Sequence, residues 1–215
     1  MQSEVPKQYL PLVDKTVIEH ALDRLLSFPA IAGVILVLHP NDQYWHSLNY
    51  QSDKPLFVAT GGDERLHSVY NGLTLLKAQL EHDCLALVHD AVRPLVSHLD
   101  LERLIATARS HQAGAVLGSP VADTLKQQDD DGLVVGTVMR KGLWRAFTPQ
   151  VFYASLLHEA LASVIENNQL VTDDSSAVEL LGLTPKLVAG SAENIKITLP
   201  EDLDLARQIW LRQKT

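Results

Sequence analysis

Polar residues that could do chemistry follow the apolar segments of this sequence. The clearest case is CLALVHDAVRP (84–94), where an apolar, strand-like run ends on His89, Asp90 and Arg93. The carboxyl ends of parallel strands open into the crevice where ligands bind, so charges at this end indicate a site. Taken alone, the segment is equally compatible with His89 and Asp90 capping the next element and Arg93 lying in solvent. Other apolar segments also end on polar positions: Gly62 and Asp63, Asp123 and Thr124, Thr148, and Lys196.

The residue types in this set indicate phosphate chemistry. If the sheet is parallel, one crevice collects at least two basic side chains and two carboxylates. Magnesium prefers oxygen ligands, and phosphoryl-type transfer is catalysed mainly by positioning and charge neutralisation. The sequence therefore predicts a magnesium-bound polyphosphate as ligand.

Composition and motif content argue against several other classes. The formal net charge of −8, from 18 basic and 26 acidic residues, disfavours nucleic acid and anionic membranes as partners. The sequence has no HExxH, paired CxxC, GxSxG, GxxxxGK or GxGxxG motif, so zinc-protease, hydrolase, P-loop and dinucleotide chemistry lack support. A single cysteine, Cys84, in an apolar run and the lack of a signal-like or spanning segment predict a cytoplasmic protein.

Hydrophobic periodicity predicts alternating strands and helices. Thr16 and Glu19 have the spacing of a capping box, Asp63 is a candidate cap for the second helix, and Thr172 or Asp173 for a later one. The predicted strands are 33–38, 56–60, 84–89, 114–120, 186–190 and 194–198, with helices at 16–28, 63–80, 99–112, 154–168, between 173 and 182, and from 200 onward. This alternation predicts an α/β fold with a doubly wound, mostly parallel sheet, in a single domain spanning 1–215.

Residues 121–141 interrupt the alternation. Two strand-like segments flank DDDG, whose Asp-Gly pair suits a hairpin turn, so we expect a protruding β-arm. A two-stranded ribbon is marginal alone in water, and this one carries Leu133, Val134, Val135 and Val138. We therefore expect a homodimer formed through the arm. The alternative is a hairpin that folds back on its own domain.

Seven short segments, in order along the whole chain, resemble one family. That family is the 2-C-methyl-D-erythritol 4-phosphate cytidylyltransferases, nucleotidyltransferases of isoprenoid biosynthesis with a Rossmann-like fold. They transfer a cytidylyl group from CTP to a methylerythritol phosphate and release pyrophosphate, assisted by Mg²⁺. The matching segments are PKQYLPL (6–12), GGDERLHSV (61–69), VHDAVRP (88–94), DTLK (123–126), LWRAFTPQ (143–150), TDDSSAVE (172–179) and NIKIT (194–198).

The resemblance implies roles for individual residues. Lys7 would stabilise charge at the α-phosphorus of CTP, and Asp90 would lie between the ribose, the metal and the acceptor. Lys196 would hold the acceptor phosphate within the subunit. The remaining implied or expected contacts are Gly62, Asp63 and Ser68 with the cytidine, Thr124 and Arg140 with the acceptor of the neighbouring subunit, and Arg93, Thr148 and Thr172 with substrate.

Alternatives remain open at the level of sequence. Lys7 could be a solvated residue at a helix entrance, Ser68 a helix-surface hydroxyl and Arg140 an ordinary arm charge. The family also opens with a strand and a glycine-rich loop upstream of the segment matched here, and we expect the native product to carry them. The competing functions are a pentitol (ribitol) phosphate cytidylyltransferase and a catalytically degenerate CTP-binding dimer.

Overall fold

Strands and helices alternate along the chain, as the hydrophobic pattern predicts. The computed structural model describes residues 5–213. The strands are β1 Pro11–Leu12, β2 Lys15–Thr16, β3 Val34–Leu38, β4 Leu56–Thr60, β5 Leu85–Val88, β6 Ala115–Pro120, β7 Leu125–Gln128, β8 Val134–Val138, β9 Trp144–Tyr153 and β10 Lys186–Ala189. The helices are α1 Val17–Leu26, α2 Arg65–Gln79, α3 His98–Ser110, α4 Ala154–Glu166, α5 Asp174–Leu180 and α6 Pro200–Gln213, with short 3-10 turns at Lys7–Tyr9 and Trp45–Leu48.

The main sheet is mixed and has the strand order β10-β6-β9-β5. Strand β10 pairs parallel with β6, and β9 runs antiparallel to both β6 and β5. Strands β5, β6 and β10 therefore point the same way, and β9 is the one reversed strand between them. Strands β3 and β4 form a separate parallel pair, and within residues 5–213 no ladder joins this pair to the main sheet. The α/β class is confirmed, with β9 as an addition that the sequence analysis left unassigned.

Helices cover both faces of the main sheet. Val116 and Phe152 point to one face and pack with α2, α4 and α5, whereas their neighbours Leu117 and Val151 point to the other face and pack with α3. All four side chains are almost fully buried. Because side chains alternate across a strand, apolar residues at successive positions require apolar partners on both faces. This explains why the continuous apolar runs in the sequence predict a doubly wound fold.

Two of the predicted helix starts are confirmed and one is wrong. The Thr16 backbone N–H donates to the Glu19 carboxylate at 2.8 Å, as expected for a capping box. Asp173 caps α5 by accepting from the backbone N–H of Ser176. Asp63 does not cap α2, whose first flanking residue is Glu64 without a side-chain cap bond. The Asp63 side chain is exposed instead.

The predicted strand at 194–198 does not form. Its alternating apolar residues suggested a ladder, but the segment is held by isolated bonds: Ile197 N–H donates to the Val92 carbonyl at 2.9 Å, and the Arg93 guanidinium donates to the Asn194 carbonyl at 2.8 Å. Ile197 is nevertheless fully buried. The apolar alternation therefore reflects packing against the loop after β5, not membership of a sheet.

The arm is a two-stranded hairpin of β7 and β8. Gly132, with φ of +80°, lies in its turn, as expected for the Asp-Gly pair. The apolar side chains of the arm are largely exposed, with Leu133 at 65%, Val134 at 64% and Val135 at 59%. This exposure argues against a hairpin folded back on its own domain. Across residues 5–213, no helix is both long and apolar enough to span a bilayer.

Candidate active site

Asp90 lies at the carboxyl end of β5, where the polar residues were expected to meet. Its backbone N–H donates to Thr148 Oγ1 at 3.0 Å, and its carbonyl accepts from the Arg93 backbone N–H at 3.0 Å. The Thr148 carbonyl accepts in turn from the Asn194 amide at 2.9 Å. Strand β9 and the 194–198 segment therefore hold the Asp90 turn from two sides.

Three cationic side chains surround the Asp90 carboxylate. Lys196 Nζ is 3.1 Å from Oδ2, Arg93 Nε is 3.5 Å from Oδ2, and Arg65 Nε is 3.6 Å from Oδ1. Burial, the largest single influence, favours the neutral acid, but the combined charge of Lys196, Arg65 and Arg93 holds the pKa of Asp90 below its usual range. Asp90 is therefore an ionised, largely buried carboxylate surrounded by cationic side chains.

Arg93 and His89 lie close to Asp90 in the sequence and pack against each other. Arg93 is buried, and its guanidinium lies 5.3 Å from the centre of the Phe147 ring, an arrangement typical of a cation–π contact. His89 Nε2 lies 2.8 Å from the Arg93 carbonyl, so this nitrogen donates to it. Burial lowers the pKa of His89 to about 4. A neutral His89 thus adds no further positive charge at neutral pH.

The second predicted group, at the end of β4, is a tight turn. Gly61 N–H donates to the Leu38 carbonyl at 2.7 Å, and Gly62 N–H donates to Ser68 Oγ at 3.1 Å. A Cβ on Gly61 would lie 2.8 Å from Ser68 Oγ, and one on Gly62 would lie 2.4 Å from the Cβ of His67. Glycine is therefore required at both positions by close approach. Gly62 and Ser68 are brought together, with Asp63 exposed beside them.

Arg65 connects the turn after β4 with Asp90. The sequence analysis assigned no role to Arg65 or to its partner Asp174. The Arg65 guanidinium forms a two-pronged ion pair with Asp174, at 2.9 and 2.7 Å, while its Nε faces Asp90. Asp174 has a side-chain exposure of 1%. Both residues lie inside the quoted segments GGDERLHSV and TDDSSAVE, but they are 109 positions apart. No local pattern could have paired them.

The other predicted residues are not in contact with Asp90. Lys7 lies in the first 3-10 turn, and it is one of several influences, after hydrogen bonds from Leu199 and Thr198, that lower the pKa of Asp202. Lys7 therefore lies near the segment that follows Lys196. The remaining residues are exposed: Thr124 just before β7, Arg140 bonded to the Ala122 carbonyl at the base of the arm, and Thr172 before α5.

The residues fit one mode of magnesium binding and not another. Within the described part of the chain, no three His, Cys, Asp or Glu side chains cluster as a metal cage. Magnesium in phosphate-transferring sites is commonly held by one or two carboxylates plus the substrate's own phosphates. The ionised carboxylate of Asp90 is an oxygen ligand of the kind that this mode uses.

Fold and site together define a class: an α/β protein of nucleotidyltransferase-like architecture with a cluster of cationic side chains around a carboxylate at the end of β5. A sequence model of the 2-C-methyl-D-erythritol 4-phosphate cytidylyltransferase family matches residues 1–213. This chain belongs to that family.

Individual relatives agree with this assignment. The 2-C-methyl-D-erythritol 4-phosphate cytidylyltransferase of Pseudomonas putida strain GB-1 is 44% identical over 211 residues, which is 98% of this chain and 90% of that protein. A crystal structure of 4-diphosphocytidyl-2C-methyl-D-erythritol synthase superposes with a TM-score of 0.86 at 38% identity, covering 95% of both chains. The Francisella tularensis cytidylyltransferase gives 0.86 at 32% identity, covering 96% of this chain and 94% of that one.

Proposed function

We propose that this protein transfers the cytidylyl group of CTP to 2-C-methyl-D-erythritol 4-phosphate. The products are 4-diphosphocytidyl-2-C-methyl-D-erythritol and pyrophosphate, in isoprenoid biosynthesis. Family membership and 44% identity over nearly the whole chain support the reaction. The structural observation that carries it is the 3.1 Å contact between Asp90 and Lys196 at the carboxyl end of β5. A carboxylate and a mobile ammonium at a strand end suit a phosphorylated acceptor beside a nucleotide.

In the proposed reaction, a phosphate oxygen of the acceptor attacks the α-phosphorus of CTP. The bond from this phosphorus to the bridging oxygen breaks, and pyrophosphate leaves with the electron pair. Lys196 holds the acceptor phosphate, and Lys7 neutralises charge that builds up at the α-phosphorus. The Asp90 carboxylate accepts hydrogen bonds from hydroxyl groups of the ribose and of the acceptor. Magnesium held by Asp90 and the triphosphate would neutralise charge on the leaving group.

The cytidine would bind at the turn after β4. Gly62, Asp63 and Ser68 are its proposed contacts, and the bond from the Gly62 N–H to Ser68 Oγ, with the close approach of Gly62 to His67, supports a preformed turn. Arg93 and Thr148 were expected to bind substrate, but their polar groups already face Asp90. We propose that these two residues act on the substrate through Asp90, whereas Thr172 is exposed and remains a proposed contact.

We further propose that the protein is a cytoplasmic homodimer in which the arm of one subunit reaches the acceptor of the other. The exposed apolar side chains of the arm, Leu133, Val134 and Val135 among them, support an interface there. Thr124 and Arg140 lie on the same arm and would contact the acceptor across the interface. The partner subunit would therefore complete the acceptor site.

Turnover with defined acceptors tests the function. Purified protein is supplied with CTP, magnesium and either 2-C-methyl-D-erythritol 4-phosphate or ribitol 5-phosphate, and pyrophosphate and the cytidine product are measured. We expect product with the first acceptor. Product with ribitol 5-phosphate alone would establish the pentitol enzyme instead, and CTP binding without any product would establish a degenerate nucleotide-binding protein.

A matched pair of lysine variants links turnover to the crevice. We expect Lys196→Gln to lower kcat/KM for the acceptor by at least about 100-fold, because the acceptor phosphate loses its charged partner. Lys186→Gln, which changes an exposed lysine on β10, should leave it unchanged. Equal activity in both variants would remove Lys196 from the proposed site.

A further inference from the structure

Arg65 has an orientation fixed by a single buried partner. It is the first residue of α2, and its two terminal nitrogens donate to the two carboxylate oxygens of Asp174 at 2.9 and 2.7 Å. Two parallel bonds between planar groups fix both the position and the rotation of a guanidinium. The third nitrogen, Nε, is then left facing Asp90 Oδ1 at 3.6 Å.

Asp174 is itself a rigid anchor. It is the first residue of α5, and its side chain is almost completely buried. Helix α5 is docked on β9 through Gln150, which is also buried: its amide nitrogen donates to Asp173 at 2.7 Å, and its amide oxygen accepts from the Ser175 backbone N–H at 2.9 Å. Strand β9 also carries Thr148, which accepts from the Asp90 backbone N–H. Strand β9 therefore positions Asp90 through Thr148, and it positions Asp174 by holding the start of α5 through Gln150.

The two carboxylate oxygens of Asp90 face different cationic partners. Oδ2 faces Lys196 and Arg93, and Oδ1 faces Arg65. Lys196 and Arg65 are 44% and 39% exposed at their side chains, so either could turn towards solvent if it were not held. Asp174 prevents this for Arg65. Arg65, held in place by the buried Asp174, therefore fixes the position of Asp90 Oδ1 and with it the orientation of the carboxylate.

Stability alone is a weak reason for such an arrangement. Burial of an ion pair carries a desolvation cost that its attraction often fails to exceed, and apolar residues of similar volume are frequently as stable. Placement of a reacting group matters far more, since a displacement of about 1 Å can reduce a rate by about 100-fold. The geometry is therefore better explained by control of Asp90 than by a contribution to folding.

We propose that Arg65 and Asp174 are positioning residues: Asp174 holds the Arg65 guanidinium, which orients the Asp90 carboxylate towards the substrates. This inference rests on the proposed function, because cytidylyl transfer is its kinetic readout. Neither Arg65 nor Asp174 takes part in the bond from the Gly62 N–H to Ser68 Oγ at the proposed cytidine turn. Because Asp90 is itself a proposed ribose contact, loss of the pair should lower kcat and should weaken CTP binding no more than Asp90→Asn does.

Three variants test the pair. Arg65→Gln and Asp174→Asn should each lower kcat per folded active site by about 10- to 100-fold, with the KM and the calorimetric Kd for CTP between those of wild type and those of Asp90→Asn. Arg65→Lys keeps the charge but lacks the planar fork, so its kcat should lie between wild type and Arg65→Gln. If either of the first two variants does not fold, Arg65→Lys carries the test. Unchanged kcat in the folded variants would overturn the proposal.

A double variant separates a coupled pair from two independent residues. If Asp174 acts only through Arg65, the kcat of Arg65→Gln/Asp174→Asn should equal that of the worse single variant. Effects that multiply would show that the two residues act separately, which contradicts the proposal. Arg103→Gln, on the exposed part of α3, is the matched arginine control and should behave as wild type.

Failure of the positioning role can be distinguished from failure of the proposed cytidylyl transfer. Absence of turnover in wild type and Arg103→Gln would count against cytidylyl transfer itself. The crystal structure of Asp174→Asn gives a readout that needs no turnover: the Arg65 side chain should leave Asp90, and the Asp90 carboxylate should rotate. An unchanged Asp90 orientation in that structure would overturn the positioning role even if the variant were slow.

Discussion

At the scale of residues, Asp90 carries the negative charge that the cationic side chains of the site surround. Its carboxylate faces Lys196, Arg93 and Arg65. These cations keep the pKa of Asp90 below the usual range although burial, the largest influence, opposes this. Asp90→Asn keeps the shape but removes the charge. We expect kcat/KM to fall by at least about 100-fold, because the substrates lose a charged acceptor and three cations lose their partner.

Steady-state pyrophosphate release measures this loss. Asp53→Asn, at an exposed aspartate between α1 and β4, is the matched control and should keep wild-type activity. Circular dichroism and thermal unfolding of both variants show whether the fold is retained. A folded Asp90→Asn protein with normal turnover would contradict the assigned role of Asp90.

At the scale of elements, the β7–β8 arm has more apolar surface than a hairpin in solvent needs. Val135→Asp places a charge on this surface and should convert a dimer to monomers, as measured by analytical ultracentrifugation, because a charge in an apolar interface is costly to desolvate. Leu170→Asp is the matched control, since Leu170 is 97% exposed but lies away from the arm, after α4. A wild-type protein that sediments as a monomer would refute the interface.

Subunit mixing tests whether the arm acts on the neighbouring site. Arg140→Gln and Lys196→Gln should each be nearly inactive as homodimers. Random pairing makes half of the dimers mixed, and each mixed dimer has one intact site out of two, so about one quarter of wild-type activity should return. No recovery after co-refolding would place Arg140 in the site of its own subunit.

At the scale of the whole molecule, the beginning and the end of the described chain share one core cluster. Leu12 and Val17 pack there with Ile209 and Trp210 of α6. His20 closes this junction: its Nε2 donates to the Leu12 carbonyl at 2.6 Å, and its ring lies 4.1 Å from that of Trp210. Global stability should therefore respond to the protonation of this buried histidine.

The direction of the response follows from its pKa. Burial lowers the pKa of His20 below its usual value although the Leu12 carbonyl and Asp14 oppose the change. The unfolded chain then binds the proton more tightly, so the contribution of His20 to the free energy of unfolding is fully retained above about pH 6.5 and falls as the pH is lowered, by at most about 1.4 kcal/mol per pH unit. His89, whose pKa is also lowered, adds a contribution of the same sign. Urea unfolding at several pH values measures this slope.

A non-titrating variant isolates the histidine. His20→Gln keeps a hydrogen-bond donor for Leu12 but cannot gain the charge, so its unfolding free energy should vary less with pH between about 5 and 7 than that of wild type. His46→Gln, at an exposed histidine, should retain the wild-type slope. Identical slopes in all three proteins would contradict the role given to His20.

The sequence by itself determined the local elements and the residue types of the site. Apolar periodicity is a local property, so it located β3, β4, β5, β6 and most helices within a few positions. Periodicity failed at 194–198, where the apolar alternation arises from packing against the loop after β5. The capping rule failed at Asp63, because Glu64 is the residue that precedes α2. The Asp90, Lys196, Gly62 and Ser68 groups were recognised because each lies in a short motif.

Only the tertiary structure decided which of these residues meet. The Arg65–Asp174 pair spans 109 positions, and β9 lies between β5 and β6, running antiparallel to both. Such pairings depend on strand order and helix docking, which are set by long-range burial and not by local periodicity. For the same reason the structure unites Asp90 with Lys196 and Arg65, whereas the placement of Lys7 and Arg140 at the acceptor remains a prediction.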